Sequence, residues 1–154
     1  MPEIDCGFKD LPTGVSGSQL LINLGPTVKV DIGFDPNWKL HGGSVPIPAI
    51  KDIDALVDTG ATVSCIDDSL AVQLKLPFHD EQPMAGVGGQ HMAKMYIAQI
   101  HVPLLKFTIY GTFAGVHLAA GGQIHRALIG RTFLTRFKMV YEGATGIVKL
   151  SSVV

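Results

Sequence analysis

Charge is scarce in this sequence, and the shortage removes several classes of protein. Charged residues make up 16% of the 154 residues, against about 25% in typical soluble domains. The 12 basic and 13 acidic residues leave a formal net charge of -1, and the basic ones form no run. Because nucleic-acid-binding proteins carry clustered positive charge, we expect neither DNA nor RNA as a partner.

Long apolar runs and export signals are missing as well. No apolar stretch approaches the roughly 20 residues that cross a bilayer. The N-terminal residues lack the basic start and the apolar run of a signal peptide. We therefore expect a soluble, cytoplasmic protein that has no membrane partner.

Metal and redox motifs are also absent. Cys6 and Cys65 are the only cysteines and form no C-x-x-C pair, so we favour two buried thiols in a reducing compartment and leave a disulfide open. None of the six histidines falls at a zinc-site spacing. Four acidic residues fit a strand edge or a helix N-terminus better than a metal cluster: Asp52, Asp54, Asp67 and Asp68. The sequence predicts no metal and no cofactor.

What the chain does contain is apolar residues interrupted by turns. Hydrophobic residues make up 47%, and 18 glycines and 9 prolines divide them into short runs, which favours strands over long helices. A chain of 154 residues suits one domain with one core. We predict an all-β fold with strands over residues 19–24, 27–34, 53–58, 94–102, 104–113, 138–141 and 147–150.

Apolar residues occupy both faces of residues 94–102, which predicts a strand covered on both sides. Residues 35–50 hold three prolines and two adjacent glycines, which is typical of a long surface loop. Residues 142–146 carry two glycines between two apolar runs and are predicted to turn the last hairpin.

Two short helices are expected within this β framework. One covers residues 67–74, with Asp67 or Asp68 placed to cap its first turn. The other covers residues 132–137, with Thr132 as its cap.

Asp58 is the strongest candidate for chemistry. The apolar run Ala55-Leu56-Val57 delivers it into a tight turn with Thr59 and Gly60. A carboxylate at the end of a buried strand loses solvent and needs hydrogen bonds from the turn to hold its charge. The alternative is an ordinary turn, because aspartate and glycine are both common turn residues.

Two further segments follow in a defined order. The sequence Ala85-Gly86-Val87-Gly88-Gly89 lies at the tip of a predicted hairpin, and Ala127-Leu128-Ile129-Gly130-Arg131 is a second apolar run that ends in glycine before a short helix. A dinucleotide-binding loop is not favoured, because G-x-G-x-x-G would require glycine at the position of His91.

The order of acid turn, glycine-rich hairpin, apolar run with glycine, and helix resembles the retropepsin-like aspartic proteases, the single-domain retroviral and cellular relatives of pepsin. The resemblance spans residues 53–150. It implies a closed, barrel-like pepsin fold with one or two short helices and one lobe per chain. It also implies a protease domain over residues 19–154 after an N-terminal extension over residues 1–18.

The same resemblance implies an aspartic endopeptidase that acts as a homodimer on an extended peptide or protein substrate. Asp58 would be the catalytic aspartate, Thr59 would brace the matching turn of the other subunit, and Gly60 would permit close approach of the two backbones. The substrate would be contacted by residues of the turn, of a mobile hairpin flap and of the second apolar run: Ala61, Gly86, Val87, Gly88 and Ile129.

Several alternatives stay open. For Ile129, simple core packing is an equal alternative. In viral members an aspartate pairs with the residue that corresponds to Arg131, but its position here is Thr62, so carbonyl groups or another acid are the expected partners. The chain as a whole could also be an inactive retropepsin-like dimerisation or peptide-binding module, or an unrelated ligand-binding barrel.

Overall fold

The computed structural model describes residues 2–86 and 88–153, and they fold mainly into strands. The strands are β1 (Glu3–Asp5), β2 (Thr27–Gly33), β3 (Ile50–Val57), β4 (Cys65–Asp67), β5 (Phe78–Gly86), β6 (Gly89–Val102), β7 (Phe107–Val116), β8 (Ala127–Ile129), β9 (Phe137–Glu142) and β10 (Ile147–Ser152). The helices are α1 (Gly17–Leu24), α2 (Asp68–Gln73) and α3 (Arg131–Leu134), with a short 3-10 helix at Pro103–Leu105. None of the helices in the described ranges is long and apolar enough to cross a membrane.

Most strands belong to one sheet that closes on itself. Its order is β2-β3-β8-β4-β7-β6-β5, and β2 also pairs with β6. That second pairing joins β2, at one end of the sheet, to β6, the neighbour of β5 at the other end, and so closes a barrel. Strand β5 lies outside this closure and pairs with β6 in a hairpin. A separate three-stranded sheet has the order β1-β10-β9. The predicted all-β, barrel-like architecture is therefore confirmed.

The core fills the barrel and reaches the small sheet. Its fully buried members come from most elements and include Leu21, Ile32, Ile66, Leu70, Ile100, Ile129 and Leu150. Strand β6 confirms the prediction of a strand covered on both sides, since neighbours such as Met95 and Tyr96 point to opposite faces and are both buried.

The prediction of a strand over residues 19–24 is wrong, because this segment is part of helix α1. The Ser16 side chain caps the helix by accepting a hydrogen bond from the Gln19 N–H at 3.1 Å. Gly25 ends it with a φ of 75°, a conformation that glycine adopts without strain. A short apolar run fits both the helical period of about 3.6 residues and the strand period of two. Here the Ser16 cap and the Gly25 stop select the helix.

Two boundaries also differ from expectation. Helix α3 starts at Arg131 after Gly130, which has no capping side chain, so Thr132 lies inside the helix. The strand expected from residue 104 starts at Phe107, because Pro103–Leu105 forms the 3-10 helix and Lys106 turns the chain with a φ of 51°. The helix predicted over 67–74 is present as α2, with Asp67 as its cap.

The N-terminal segment joins the small sheet. Strand β1 pairs with β10, and the Cys6 N–H donates to the Val148 carbonyl at 2.7 Å. Helix α1 runs across residue 18, where the sequence places the start of the protease domain. The division into an extension and a domain stays a prediction.

Asp67 fastens helix α2 to the loop between β7 and β8. Its carboxylate is 1% exposed. It accepts hydrogen bonds from the backbone N–H groups of Leu70, Leu118 and Ala119 at 3.2, 3.0 and 3.0 Å, and it pairs with the Arg126 guanidinium at 3.0 Å. Sequence spacing predicted the cap but not these distant partners.

The pKa of Asp67 lies below its usual range. Burial acts to raise this pKa, but hydrogen bonds from the Ser69 hydroxyl and from the backbone N–H groups around the carboxylate outweigh it. A lowered pKa in the folded state means that the ionised carboxylate stabilises the fold.

We expect Asp67→Asn to lower the free energy of unfolding by about 3 kcal/mol, because it leaves Arg126 without its partner. The wild-type advantage is complete above the unfolded-state pKa of about 3.9 and is lost as pH falls through the lower folded-state pKa. Urea denaturation between pH 7 and pH 2 measures it. Asp52→Asn, at an exposed position, is the matched control, and equal stability of the two variants at pH 7 would refute this assignment.

Candidate active site

The Asp58 turn begins where strand β3 leaves the barrel. Val57 pairs in parallel with Ile129 of β8, and the Asp58 N–H donates to the Ile129 carbonyl at 2.9 Å. The half-buried Asp58 carboxylate accepts a hydrogen bond from the Gly60 N–H at 2.8 Å. A Cβ at position 60 would lie 3.0 Å from that carboxylate oxygen. Glycine therefore lets the turn fold over its own aspartate.

The segment that follows β8 clamps this turn. The Arg131 N–H donates to the Ala61 carbonyl at 2.8 Å, and the Thr132 N–H donates to the Thr62 carbonyl at 3.1 Å. Gly130 lies between the two segments, where an added Cβ would come within 2.5 Å of the Val63 backbone. Only glycine permits this approach.

Arg131 stabilises the turn through its side chain. The guanidinium donates to the Thr59 carbonyl at 2.8 Å and to the Thr62 hydroxyl at 3.0 Å. The alternative of carbonyl partners is therefore the one observed, and a hydroxyl occupies the position where viral members carry a carboxylate. Two neutral oxygens replace an ion pair and leave Asp58 as the carboxylate of the turn.

The two cysteines are buried and unpaired. Burial, followed by the negative charge of Asp58, raises the pKa of the Cys65 thiol to about 11. Burial, followed by Asp5, raises the pKa of Cys6 to about 12. Both thiols are protonated at neutral pH, so neither is prepared to act as a nucleophile.

Two of the other acids that the sequence brought into question have separate partners. Asp54 pairs with Lys29 at 2.8 Å, and Asp68 accepts a hydrogen bond from the Tyr96 hydroxyl at 2.8 Å. Among residues 2–86 and 88–153, no three His, Cys, Asp or Glu side chains are grouped as metal ligands would be.

The glycine-rich segment is the tip of the β5–β6 hairpin. Gly86 pairs with Gly89, and an added Cβ at Gly86 or Gly88 would meet nothing within 4 Å. The tip therefore stands clear of the barrel rather than inside the Asp58 turn. Val87 lies outside the described residues.

Ile129 is fully buried in the barrel core. Core packing therefore describes its side chain, while its carbonyl holds the Asp58 N–H. Within the turn, Thr59 and Gly60 are exposed and Ala61 is half-buried. The structure thus brings Asp58, Thr59, Gly60, Ala61 and the Ile129 backbone together and leaves Gly86 and Gly88 on the separate hairpin.

A shallow cavity of about 480 Å³ adjoins the Asp58 turn and contains residues that the sequence did not suggest. Asp58 and Thr59 line it together with Met139 and Tyr141 of β9. Tyr141 is 54% exposed although Val148, its partner on β10, is fully buried on the same face. This exposure is visible only in the structure, so the sequence held no signal for Tyr141.

Comparisons with known proteins identify a family for this chain. A family model described as a gag-polyprotein putative aspartyl protease matches residues 49–136, which is more than half of the chain. No curated protein matches this chain. One solved structure, EIAV protease complexed with the inhibitor HBY-793, is 19% identical, with 71% of this chain and 85% of that chain covered and a TM-score of 0.46. The expected pepsin-like, all-β fold with few short helices is confirmed.

We expect Gly130→Ala to destabilise the protein by about 2 to 3 kcal/mol, because the new methyl group collides with the backbone of the clamped turn. Thermal unfolding measures the loss. Gly86→Ala is the matched control, since its methyl group meets open space. Equal melting temperatures for both variants and wild type would show that the clamp is not tight.

Proposed function

The chain belongs to the gag-polyprotein putative aspartyl protease family, and on that premise we propose that it is an aspartic endopeptidase whose active site forms between two copies. The observation that carries the proposal is the single Asp58-Thr59-Gly60 turn, which is fixed by hydrogen bonds to its backbone and to its carboxylate and is exposed at its outer side.

One carboxylate cannot complete the reaction alone. Peptide hydrolysis needs a base that takes a proton from water and an acid that gives a proton to the leaving amine. Two carboxyl groups a few ångströms apart hold one proton between them, because like charges at that distance resist double ionisation. Two Asp58 residues related by a two-fold axis would supply both roles.

The exposed side of the turn supports a partner at this place. Among the described residues the Thr59 hydroxyl has no hydrogen-bond partner, so it is free to donate to the backbone of a second turn. The neighbouring cavity, lined by Met139 and Tyr141, extends the contact onto strand β9. Apolar surface of this kind is stabilised by burial against another chain.

Strand β9 offers the main-chain groups for such a contact. Within the described residues it pairs with β10 on one edge and with no strand on the other. Uncovered edges readily pair with another strand, and a closed two-fold dimer uses the same edge twice. Two copies joined in this way would form one sheet beneath both Asp58 turns.

The charges of β9 suit an antiparallel contact centred on Val140. In two-fold pairing the central residue faces its own copy, and residues equally distant on either side face each other. Lys138 then faces Glu142 of the second copy, and this opposite-charge pair occurs twice. Neither side chain has an ion-pair partner among the described residues of its own chain.

The substrate would be an extended peptide bound under the β5–β6 hairpin. The hairpin acts as a flap whose backbone groups bind the peptide as an added strand and whose closure excludes water. Gly86 and Gly88 supply the freedom for that movement, with Val87 between them. Ile129 contributes through its carbonyl, by fixing Asp58.

We expect Asp58→Asn to abolish peptide hydrolysis, with a loss of at least about a thousandfold in kcat, because an amide can neither share the proton nor activate water. Cleavage of a mixed peptide library between pH 4 and 7 measures it. Asp52→Asn is the control and keeps full activity. Activity of Asp58→Asn at the wild-type level would remove the mechanism, and tight peptide binding without products in the wild type would favour an inactive module.

We expect Lys138→Glu and Glu142→Lys each to weaken dimerisation about tenfold or more, because like charges then face each other twice. An equimolar mixture of the two variants restores the dimer, since every Glu again faces a Lys. Sedimentation equilibrium gives the three dissociation constants, with exposed Lys51→Glu as control. A dimer unaffected by Lys138→Glu and by Glu142→Lys would exclude this register while leaving the protease proposal intact.

A further inference from the structure

A groove separate from the Asp58 turn runs beside the first half of strand β7. It has a volume of about 930 Å³. Phe107 to Tyr110 form one side, the loop that carries Trp38 forms the other, and Phe133 and Arg136 close one wall. None of these residues belongs to the proposed protease machinery.

The groove follows the edge of β7 rather than one of its faces. Four consecutive residues of the strand, 107 to 110, line it, although successive side chains point to opposite faces. Strand β7 pairs with β6 along this stretch, and its pairing with β4 starts only at Ala114. In the described part of the chain, the outer N–H and C=O groups of this stretch therefore have no partner strand.

Positive charge dominates the groove. Lys106 and Arg136 line it, and neither has an ion-pair partner among the described residues. The Arg136 guanidinium lies 5.8 Å from the centre of the Phe107 ring. The lining contains no Asp or Glu within the described chain. A negatively charged occupant meets two available cations and no repelling carboxylate.

The face of β7 that carries Tyr110 is aromatic. The rings of Trp38 and Tyr110 lie 5.6 Å apart, and the Trp38 indole N–H donates to the Ser44 carbonyl at 2.8 Å. Tyr110 and Phe107 point to opposite faces of β7, so the aromatic pair and Arg136 flank the edge on different sides. A strand laid along the edge would place alternate side chains against these two surfaces.

We propose that this groove binds an extended protein segment in which acidic and apolar residues alternate, by adding that segment to the edge of β7. The backbone of the segment pairs with β7, its acidic side chains on one face meet Arg136, and its apolar side chains on the other face pack on Trp38 and Tyr110. Lys106 lies at the start of this edge and adds positive charge near one end of the segment. Binding requires neither Asp58 nor a second copy of the chain. The groove is therefore a docking site that operates independently of cleavage.

The experiment uses Trp38, the single tryptophan of the chain, as its reporter. A blocked peptide of alternating Glu and Val is titrated into the 154-residue chain while tryptophan emission is recorded. We expect a saturable change that weakens as salt is added, because charge pairing contributes to it. Arg136→Gln and Lys106→Gln each weaken binding about tenfold, whereas Lys51→Gln and Asp58→Asn bind like wild type.

Two control peptides test the two parts of the proposal. A Lys–Val peptide of the same length is not expected to bind, and a Glu–Val peptide with alternate backbone nitrogens methylated is expected to bind at least about tenfold more weakly. No saturable change with the Glu–Val peptide, or equal binding of either control peptide, overturns the proposal. If tryptophan emission per protein molecule changes with protein concentration in the absence of peptide, the occupant of the groove is a second copy of the chain. That result would also overturn the proposal.

Discussion

The close approach of two backbone segments is the constraint on which the site depends. Strand β3 delivers Asp58, and the segment after β8 passes directly behind the turn. Gly130 makes this approach possible, since any Cβ there would occupy the space of the Val63 backbone. A turn fixed in this way, with Arg131 bound to its Thr59 carbonyl, holds the Asp58 carboxylate in one position.

Two arginines stabilise the structure around that turn in different ways, one by binding neutral oxygens and the other by forming an ion pair. Arg131 reaches a carbonyl and a hydroxyl near Asp58, whereas the ion pair of the buried Asp67 with Arg126 lies at the start of helix α2. Opposite charges are therefore paired at helix α2, whereas the exposed turn presents one carboxylate, that of Asp58. Such an arrangement suits a half-site that is completed by an identical copy.

The sequence was sufficient for features that depend on local pattern. Apolar residues on both faces of residues 94–102 identified β6, and the run ending at Asp58 identified the turn. Residues 19–24 were assigned to a strand because a short apolar run fits both periods, and only the Ser16 cap and Gly25 decide for a helix. Partners brought together by the fold, such as Leu118 with Asp67 or Thr62 with Arg131, carry no local signal. The same holds for the edges of β7 and β9 that have no partner strand among the described residues. Such edges can be recognised only when the strand order is known.

The central claim is that two chains share one hydrolytic centre, and the dependence of activity on protein concentration tests it most directly. Peptide cleavage per chain is measured over a dilution series, alongside the dimer fraction from sedimentation equilibrium. The account predicts that cleavage per chain rises in proportion to the dimer fraction and vanishes at high dilution. Constant cleavage per chain in samples that sediment as monomers would contradict it.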